Sequence, residues 1–295
     1  MKLLVFVVLT CAATAVAALA QFDDVEIETI ALGPGLWMLQ GRGGNIGVSA
    51  GTDGVLLIDD QFAPLTGKIT AAVSKLSDRP IRFVLNTHWH GDHTGGNENL
   101  GQAGAVIVAH DNVRQQMSVE HFFALGDRKI PPSPAGALPI LTFTESVTFH
   151  LNGDEIHVTH VPTAHTDGDS LVHFRKANVL HLGDLFFNGM YPFIDVDSGG
   201  SIDGVIAAVG RALEIAGAET KIIPGHGPLS GRSELVVYRD MLVSVRNAIA
   251  PLVAEGRSLD EVLAARPSAG FDEAWGGGFI DPENMVKLVY RSLSR

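Results

Sequence analysis

The chain has 295 residues, of which 46% are hydrophobic and 18% are charged, and it contains 33 glycines and 14 prolines. This composition is typical of a folded protein with a substantial core, and it excludes a disordered or collagen-like chain. The 21 lysines and arginines against 33 acidic residues give a net charge of −12, which argues against binding to nucleic acid or to an anionic membrane surface.

Residues 1–20 are predicted to be a secretory signal peptide. A positive start at Met1-Lys2 precedes an uncharged apolar run from Leu3 to Leu19, and Ala18-Leu19-Ala20 resembles a cleavage site. A retained membrane anchor is the alternative. We therefore expect a secreted, periplasmic protein without a membrane span after cleavage. Cleavage would also remove Cys11, the only cysteine, so a metal bound by the mature chain would have nitrogen and oxygen ligands.

Residues 21–295 are predicted to form a single α/β domain that ends in helices. Apolar runs bounded by turn residues predict strands at Leu36–Leu39, Ile46–Ala50, Val55–Ile58, Phe83–Asn86, Val106–Ala109, Val147–Phe149, Ile156–His160, Ser170–Phe174, Val179–Leu182 and Lys221–Ile223. Helical periodicity predicts helices at Pro64–Leu76, Ile202–Ile215, Ser233–Ala254, Ser258–Ala265 and Pro282–Leu293. The stretch from His121 to Pro139 is predicted as a long loop, because its prolines interrupt both kinds of element.

The segment after the predicted strand at Phe83 is rich in metal-binding residue types. It contains His88, His90, Asp92 and His93. In an extended chain alternate side chains share one side, so His88, His90 and Asp92 are expected to converge, while Gly91 turns His93 elsewhere. Imidazole and carboxylate are the usual nitrogen and oxygen ligands of zinc, and the cluster suggests two neighbouring ion positions.

Three further polar residues each follow an apolar run. They are His165, Asp184 and His226. If the preceding strands lie side by side, their ends bring these residues to the same rim as the His88 cluster. Glycines beside the ligands, Gly183 and Gly225, would let the backbone approach the metals closely.

The spacing His-x-His-x-Asp-His, completed in order by His165, Asp184 and His226, resembles the metallo-β-lactamase superfamily. The resemblance extends from about Leu36 to Pro228. It implies a four-layer αββα sandwich, in which two β-sheets pack face to face between helices and a two-metal site lies along one edge.

The resemblance also implies two zinc ions that share a bridging carboxylate, with iron or manganese as alternatives. The ligands would be His88, His90 and His165 for one ion, Asp92, His93 and His226 for the other, and Asp184 for both. Water shared by two cations would supply the hydroxide that attacks a carbonyl carbon, and Asp92 would be the catalytic residue that orients it.

The expected function is hydrolysis of a small carbonyl compound, and the expected substrate is a β-lactam. The stretch Thr166-Asp-Gly-Asp-Ser170 resembles the lactamase pattern. An acyl-homoserine lactone or a hydroxyacylglutathione-type thioester is the alternative substrate, because the all-His/Asp ligand set is similar to those families as well. An iron-dependent oxidoreductase and a non-catalytic zinc-binding module are alternatives of another class.

The loop Leu185–Gly200 is expected to line the pocket and to supply substrate contacts through Asn188, Phe187 and Tyr191. Asp59 is expected to orient a ligating histidine. Trp89 is expected to pack in the interior. The remaining histidines are expected to be packed or hydrogen bonded without binding metal, namely His110, His121, His150, His157, His160, His173 and His181.

Overall fold

The computed structural model describes residues 21–123 and 126–295, so the predicted signal peptide lies outside the described residues. The strands are, in chain order, β1 (Glu28–Gly33), β2 (Leu36–Gln40), β3 (Ile46–Gly51), β4 (Gly54–Ile58), β5 (Ile81–Leu85), β6 (Val106–His110), β7 (His121–Phe123), β8 (Arg128–Ile130), β9 (Leu141–Phe143), β10 (Ser146–Leu151), β11 (Asp154–Val161), β12 (Asp169–Phe174), β13 (Val179–His181) and β14 (Lys221–Ile223).

The α-helices of the described residues are α1 (Thr66–Ser74), α2 (Gly91–Thr94), α3 (Asn97–Gln102), α4 (Asp111–Met117), α5 (Ile202–Ile215), α6 (Arg232–Ala254), α7 (Leu259–Ala264), α8 (Asp272–Trp275) and α9 (Pro282–Leu293). Within the described part of the chain, no helix combines the length and the apolar character needed to cross a bilayer.

Two mixed sheets form the centre of the fold. The larger sheet has the strand order β1-β2-β3-β4-β5-β6-β9, and the smaller sheet has the order β10-β11-β12-β13-β14. Strands β4, β5, β6 and β9 are parallel, as are β13 and β14, whereas the other neighbours are antiparallel. The central strand β4 is apolar and buried along its whole length, which is typical of a strand covered on both faces.

The sheets pack face to face and carry helices on their outer faces. Leu56 and Val108 of the larger sheet share one core cluster with Val158 of the smaller sheet. Ile69 of α1 covers the outer face of the larger sheet, and Val209 of α5 covers that of the smaller sheet together with α6 and α9. The predicted αββα sandwich is therefore confirmed.

The predicted strands and the long helices are present, with bounds that differ by a few residues at most. The stretch predicted as a loop contains a small hairpin, because β7 pairs with β8 and with neither large sheet. Its prolines lie after β8, where they leave the ladder intact. The short elements β1, β9, α2, α3, α4 and α8 were not predicted from the sequence.

Candidate metal centre

Polar side chains from both sheets meet at one edge of the sandwich. The His88 cluster follows β5 of the larger sheet, whereas His165, Asp184 and His226 follow β11, β13 and β14 of the smaller sheet. All the predicted ligands fall into two groups, and within each group the ligand atoms lie within 4.8 Å of one another. The first ligand group is His88, His90, His165 and Asp184; the second ligand group is Asp92, His93 and His226.

Asp184 joins the two groups through its two oxygens. Its Oδ2 lies 3.4 Å from Nε2 of His165 and 3.7 Å from Nε2 of His88. Its Oδ1 lies 3.1 Å from Nε2 of His93 and 3.4 Å from Nε2 of His226. Each oxygen therefore faces a different group, which is the geometry of a bridging carboxylate.

Two glycines allow this close approach. A Cβ atom at Gly225 would lie 2.1 Å from Oδ1 of Asp184, and one at Gly44 would lie 2.1 Å from Cε1 of His93. The amide of Gly225 also donates a hydrogen bond to the carbonyl of Gly183, at 2.7 Å. A side chain at either glycine would displace a ligand.

The outer ring nitrogens of His90 and His165 are committed to hydrogen bonds. Nε2 of His90 donates to Oδ2 of Asp195 at 3.0 Å, and Nδ1 of His165 donates to the carbonyl of Phe193 at 2.8 Å. The inner nitrogens, Nδ1 of His90 and Nε2 of His165, lie only 2.9 Å apart. Both present lone pairs, and a cation between them would remove their repulsion.

Asp59 was expected to orient one ligating histidine, and it orients one in each group: His93 directly and His88 through Thr87. Its Oδ2 accepts hydrogen bonds from Nδ1 of His93 at 2.8 Å and from Oγ1 of Thr87 at 2.7 Å. The Thr87 hydroxyl proton is thereby used, so its oxygen accepts from Nδ1 of His88 at 3.1 Å. Nε2 of both histidines is left as a lone-pair donor towards the site. Asp59 holds a left-handed backbone with φ of 65°, a strained conformation that is common at functional sites.

The buried polar atoms of the cluster fit metal ions. Nε2 of His88 and Oδ1 of Asp184 are buried and have no hydrogen-bond partner among the described residues. Buried polar atoms normally have partners, so an unsatisfied pair at the junction of two ligand groups fits the binding of cations there. Imidazole nitrogens with carboxylate oxygens form a donor set that suits divalent transition metals. The cluster is thus able to bind metal.

The carboxylates of the cluster are held in the ionised form. Burial opposes ionisation of Asp184, but the surrounding imidazoles, His93 and His226 foremost, outweigh it and hold its pKa well below the usual range. Burial likewise opposes ionisation of Asp92, yet His93 and His226 lower its pKa to about 2. Burial lowers the pKa of His165 to about 4, although Asp184 opposes the shift. The cluster therefore combines ionised carboxylates with at least one neutral imidazole.

Asp92 does not converge with His88 and His90, and that expectation was wrong. The extended chain ends at His90, where α2 begins with Gly91. The helical turn carries Asp92 to the other group, where its Oδ2 lies 3.3 Å from Nε2 of His226 and 3.8 Å from Nε2 of His93. The assignment of Asp92 that the family resemblance implied agrees with this placement.

The residues expected to contact substrate have different surroundings. Phe187 is buried and stacks on the ring of His226, with ring centroids 5.1 Å apart. Nδ2 of Asn188 donates to the carbonyl of Pro228 at 3.0 Å. Tyr191 is 1% exposed, and its hydroxyl donates to Asp272 at 3.0 Å. The structure thus gives Tyr191 a packing role in place of the expected substrate contact, because its side chain is enclosed by the C-terminal elements.

The other histidines of the described residues lie outside both ligand groups. His110 and His160 stack on each other, with ring centroids 3.6 Å apart. His121 stacks on Trp89 at 4.1 Å, and Trp89 is 7% exposed within a small cluster beside the hairpin. These side chains have packing partners.

Two contributors to the site carry no signal of their own in the sequence. Asp195 orients His90 from 105 positions away, and Phe193 supplies both a carbonyl to His165 and a ring beside the ligands. Neither residue follows a predicted strand or belongs to a recognisable spacing. Only the folded path of the Leu185–Gly200 loop brings them to the cluster.

Known proteins resemble this chain in sequence and in fold. The hydroxyacylglutathione hydrolase of Nitrosococcus oceani is 29% identical over 170 residues, which is 55% of each chain. That of Erythrobacter litoralis is 29% identical over 122 residues, covering 41% of this chain and 40% of the relative. The matches thus span about half, or less, of the length of these curated relatives.

A solved metallo-beta-lactamase from Pontibacter korlensis superposes with a TM-score of 0.60 at 19% identity, covering 74% of this chain and 99% of that one. This likeness concerns the fold. The family model of the metallo-beta-lactamase superfamily matches residues 39–226, which include both ligand groups. The chain therefore belongs to the metallo-beta-lactamase superfamily.

Proposed function

We propose that the protein is a dinuclear zinc hydrolase that acts on a small carbonyl compound. The observation that carries this proposal is Asp184, a buried carboxylate whose two oxygens face two separate groups of imidazoles. Members of the superfamily are metal-dependent hydrolases. Zinc is the metal we favour, because catalytic zinc sites combine three protein ligands of this kind with a position open to water or substrate.

The open side of the cluster is formed by Asp92, His226 and His90. Their side chains are 27%, 22% and 14% exposed, whereas those of His88, His93 and His165 are 1% exposed or less. Substrate and water therefore approach over these three exposed ligands. The buried ligands have their partners in the interior and keep the site rigid.

A pair of divalent cations in this site would polarise a carbonyl group and make water acidic enough to supply a nucleophile at neutral pH. Asp92 is ionised because its pKa is about 2, so it can accept a hydrogen bond from that water and orient it. Its partial exposure places it where reactants arrive. Phe187, stacked on His226, restrains this ligand ring.

For the substrate we propose a β-lactam, with a thioester as the second candidate. The stretch Thr166-Asp-Gly-Asp-Ser170, which resembles the lactamase pattern, supports the first, and the relatives named hydroxyacylglutathione hydrolase favour the second. Both substrates present a carbonyl carbon to the same pair of ligand groups. The residues that surround the cluster decide which of them fits.

The test combines metal analysis with a substrate panel. We expect about two zinc ions per purified chain, in line with a two-metal site. We also expect hydrolysis of nitrocefin or of a hydroxyacyl thioester to disappear on chelation and return with zinc. Asp184→Ala should lose both metal and activity, whereas His150→Ala, at an exposed position of β10, should keep both. A fully active metal-free protein, or Asp184→Ala with two tightly bound metals, would contradict the proposal.

A further inference from the structure

Three phenylalanines from distant parts of the chain form one aromatic surface, which we call the aromatic wall. Phe123 belongs to β7, Phe193 to the loop after β13, and Phe279 to the segment between α8 and α9. The ring centroid of Phe123 lies 5.7 Å from that of Phe193 and 6.5 Å from that of Phe279, and Phe193 lies 6.5 Å from Phe279. These are ordinary separations for interacting aromatic rings.

The aromatic wall is continuous with the first ligand group. The ring of Phe193 lies 5.6 Å from the ring of His90 and 5.8 Å from that of His165. A molecule whose reacting group sits at the metal cluster would therefore place an adjoining substituent against Phe193 and, beyond it, Phe123 and Phe279.

The C-terminal part of the wall is fastened to the loop that carries Phe193. The amide of Tyr191 donates to the carbonyl of Trp275 at 2.8 Å, and its hydroxyl donates to Asp272. A Cβ atom at Gly278 would lie 2.8 Å from Cβ of Met190, so the segment that carries Phe279 packs closely against the segment that carries Phe193. The packing role of Tyr191 is thus to fix Phe279 relative to Phe193.

The wall is open to solvent at its outer end. Phe279 is 71% exposed, although removing a large apolar side chain from water is energetically favourable. Arg128, which pairs with Phe123 in the hairpin, places its guanidinium 5.5 Å from the Phe123 ring centroid. Phe123 and Phe193 are half-buried, so the apolar surface continues from the exposed Phe279 inward to the ligand groups. An apolar surface that opens to solvent beside a reactive site is typical of a ligand-binding surface.

We infer that the aromatic wall binds an apolar substituent of the substrate, such as a medium or long acyl chain. This inference rests on the proposed hydrolase function, because it assigns the substrate class for the same site. The acyl chain would lie along Phe193, Phe123 and Phe279, while its carbonyl group meets the ligand groups. The wall thereby selects amphipathic carbonyl compounds over small polar ones.

The kinetic test compares chain lengths within one leaving group. Butanoyl and dodecanoyl homoserine lactones, and the matching pair of thioesters, are hydrolysed by the zinc-loaded protein, and the dodecanoyl-to-butanoyl ratio of kcat/KM is measured. We expect this ratio to fall about tenfold or more in the double variant F123A/F279A, since each methylene that loses its contact weakens binding several-fold. Phe279→Leu, which keeps an apolar side chain, should retain most of the preference.

Phe122 provides the matched control. It lies next to Phe123 in β7 and is 56% exposed, but successive side chains of a strand point to opposite faces. Phe122→Ala should leave the ratio as in the wild type. An unchanged ratio in the double variant, or an equal fall in Phe122→Ala, would overturn the inference.

A binding measurement separates this inference from the hydrolase proposal. Calorimetric titration of the zinc-loaded protein with dodecanoate and with acetate needs no turnover. We expect dodecanoate to bind at least about tenfold more tightly than acetate in the wild type, and this advantage to disappear in F123A/F279A. Equal affinity for the two anions would overturn the wall even if the protein hydrolyses carbonyl compounds. A dimer that dissociates on Phe279→Ala would overturn it too, because the wall would then contact a second copy.

Discussion

Nε2 of His90 donates a hydrogen bond to Asp195 at 3.0 Å and thereby determines which ring nitrogen faces the first ligand group. Because this nitrogen carries the proton, Nδ1 keeps its lone pair towards His165. The same logic applies to His93, whose proton points to Asp59. Each group of ligands is thus prepared for a cation by a carboxylate that does not itself belong to the group.

Asp195→Ala should weaken metal binding in the first ligand group. Without its acceptor, the His90 ring loses its preferred tautomer and orientation, and loss of such a partner typically costs about 10- to 100-fold in affinity. We expect stepwise zinc titration with a chromophoric competitor to show one weakened and one retained site. Asp197→Ala, two positions away and ion-paired with Arg291 at the surface, is the control that should keep both. Equal weakening of both sites would contradict this assignment.

Asp59→Asn should weaken both sites. The amide nitrogen cannot accept the proton of His93 or of Thr87, and Thr87 in turn accepts from His88. Asparagine also tolerates the left-handed backbone at this position, so the fold should survive. The expected loss is about tenfold or more for each zinc ion in the same titration. Asp53→Asn, an exposed position before β4, serves as the control, and a loss confined to one site would argue against the shared role of Asp59.

Gly225→Ala should displace the bridging carboxylate. The new methyl group would lie 2.1 Å from Oδ1 of Asp184, a distance at which one of them must move. We expect the metal content to fall from about two ions per chain towards none, together with hydrolysis. Gly210→Ala, within α5 and with no described residue within 4 Å of the added methyl group, should keep the metals and slightly raise the thermal stability. Retention of both metals in Gly225→Ala would show that the site adapts to the methyl group.

The stacked pair of His110 and His160 predicts a pH-dependent contribution to stability. Burial, and after it the charge of His110, lowers the pKa of His160 below its ordinary value of about 6.5. The unfolded chain therefore takes up this proton first as the pH falls, so stability from the neutral ring is present above about pH 6.5 and is lost below it.

The measurement is urea unfolding of the wild type and of His160→Gln at pH 8 and pH 5.5. We expect the free energy of unfolding of the wild type, relative to that of the variant, to be lower at pH 5.5 than at pH 8. A comparison between pH 8 and pH 9, where the ring is neutral in both states, should show no change. A relative stability that rises on acidification would contradict the sign of the shift.

Elements with a clear local sequence pattern could be predicted. β4 is a run of apolar residues bounded by turns, and α9 begins with Pro282 behind an Asp281 cap, so both are visible in the sequence. β9 has only three residues, of which Leu141 and Thr142 are exposed, and its pairing with β6 alone makes it a strand. Elements of that kind cannot be predicted from periodicity because tertiary contacts define them.

The site likewise has parts that could be predicted from the sequence and parts that could not. Its ligands could be predicted because they occupy a dense motif and the ends of recognisable strands. The grouping of Asp92 could not be derived from alternation, since a four-residue helix interrupts the extended chain at Gly91. Asp195 and the aromatic wall depend on the course of irregular loops and on contacts between segments far apart in sequence, for which the residues themselves give no local indication.

Each ligand group takes residues from both sheets, as His90 with His165 and His93 with His226 illustrate. Neither half of the chain can therefore hold a complete coordination sphere before the sandwich has assembled. Metal binding would then occur only after folding is complete. A chain in which a single sheet had formed would bind little metal and would be inactive, so a partly folded intermediate would not carry a reactive centre.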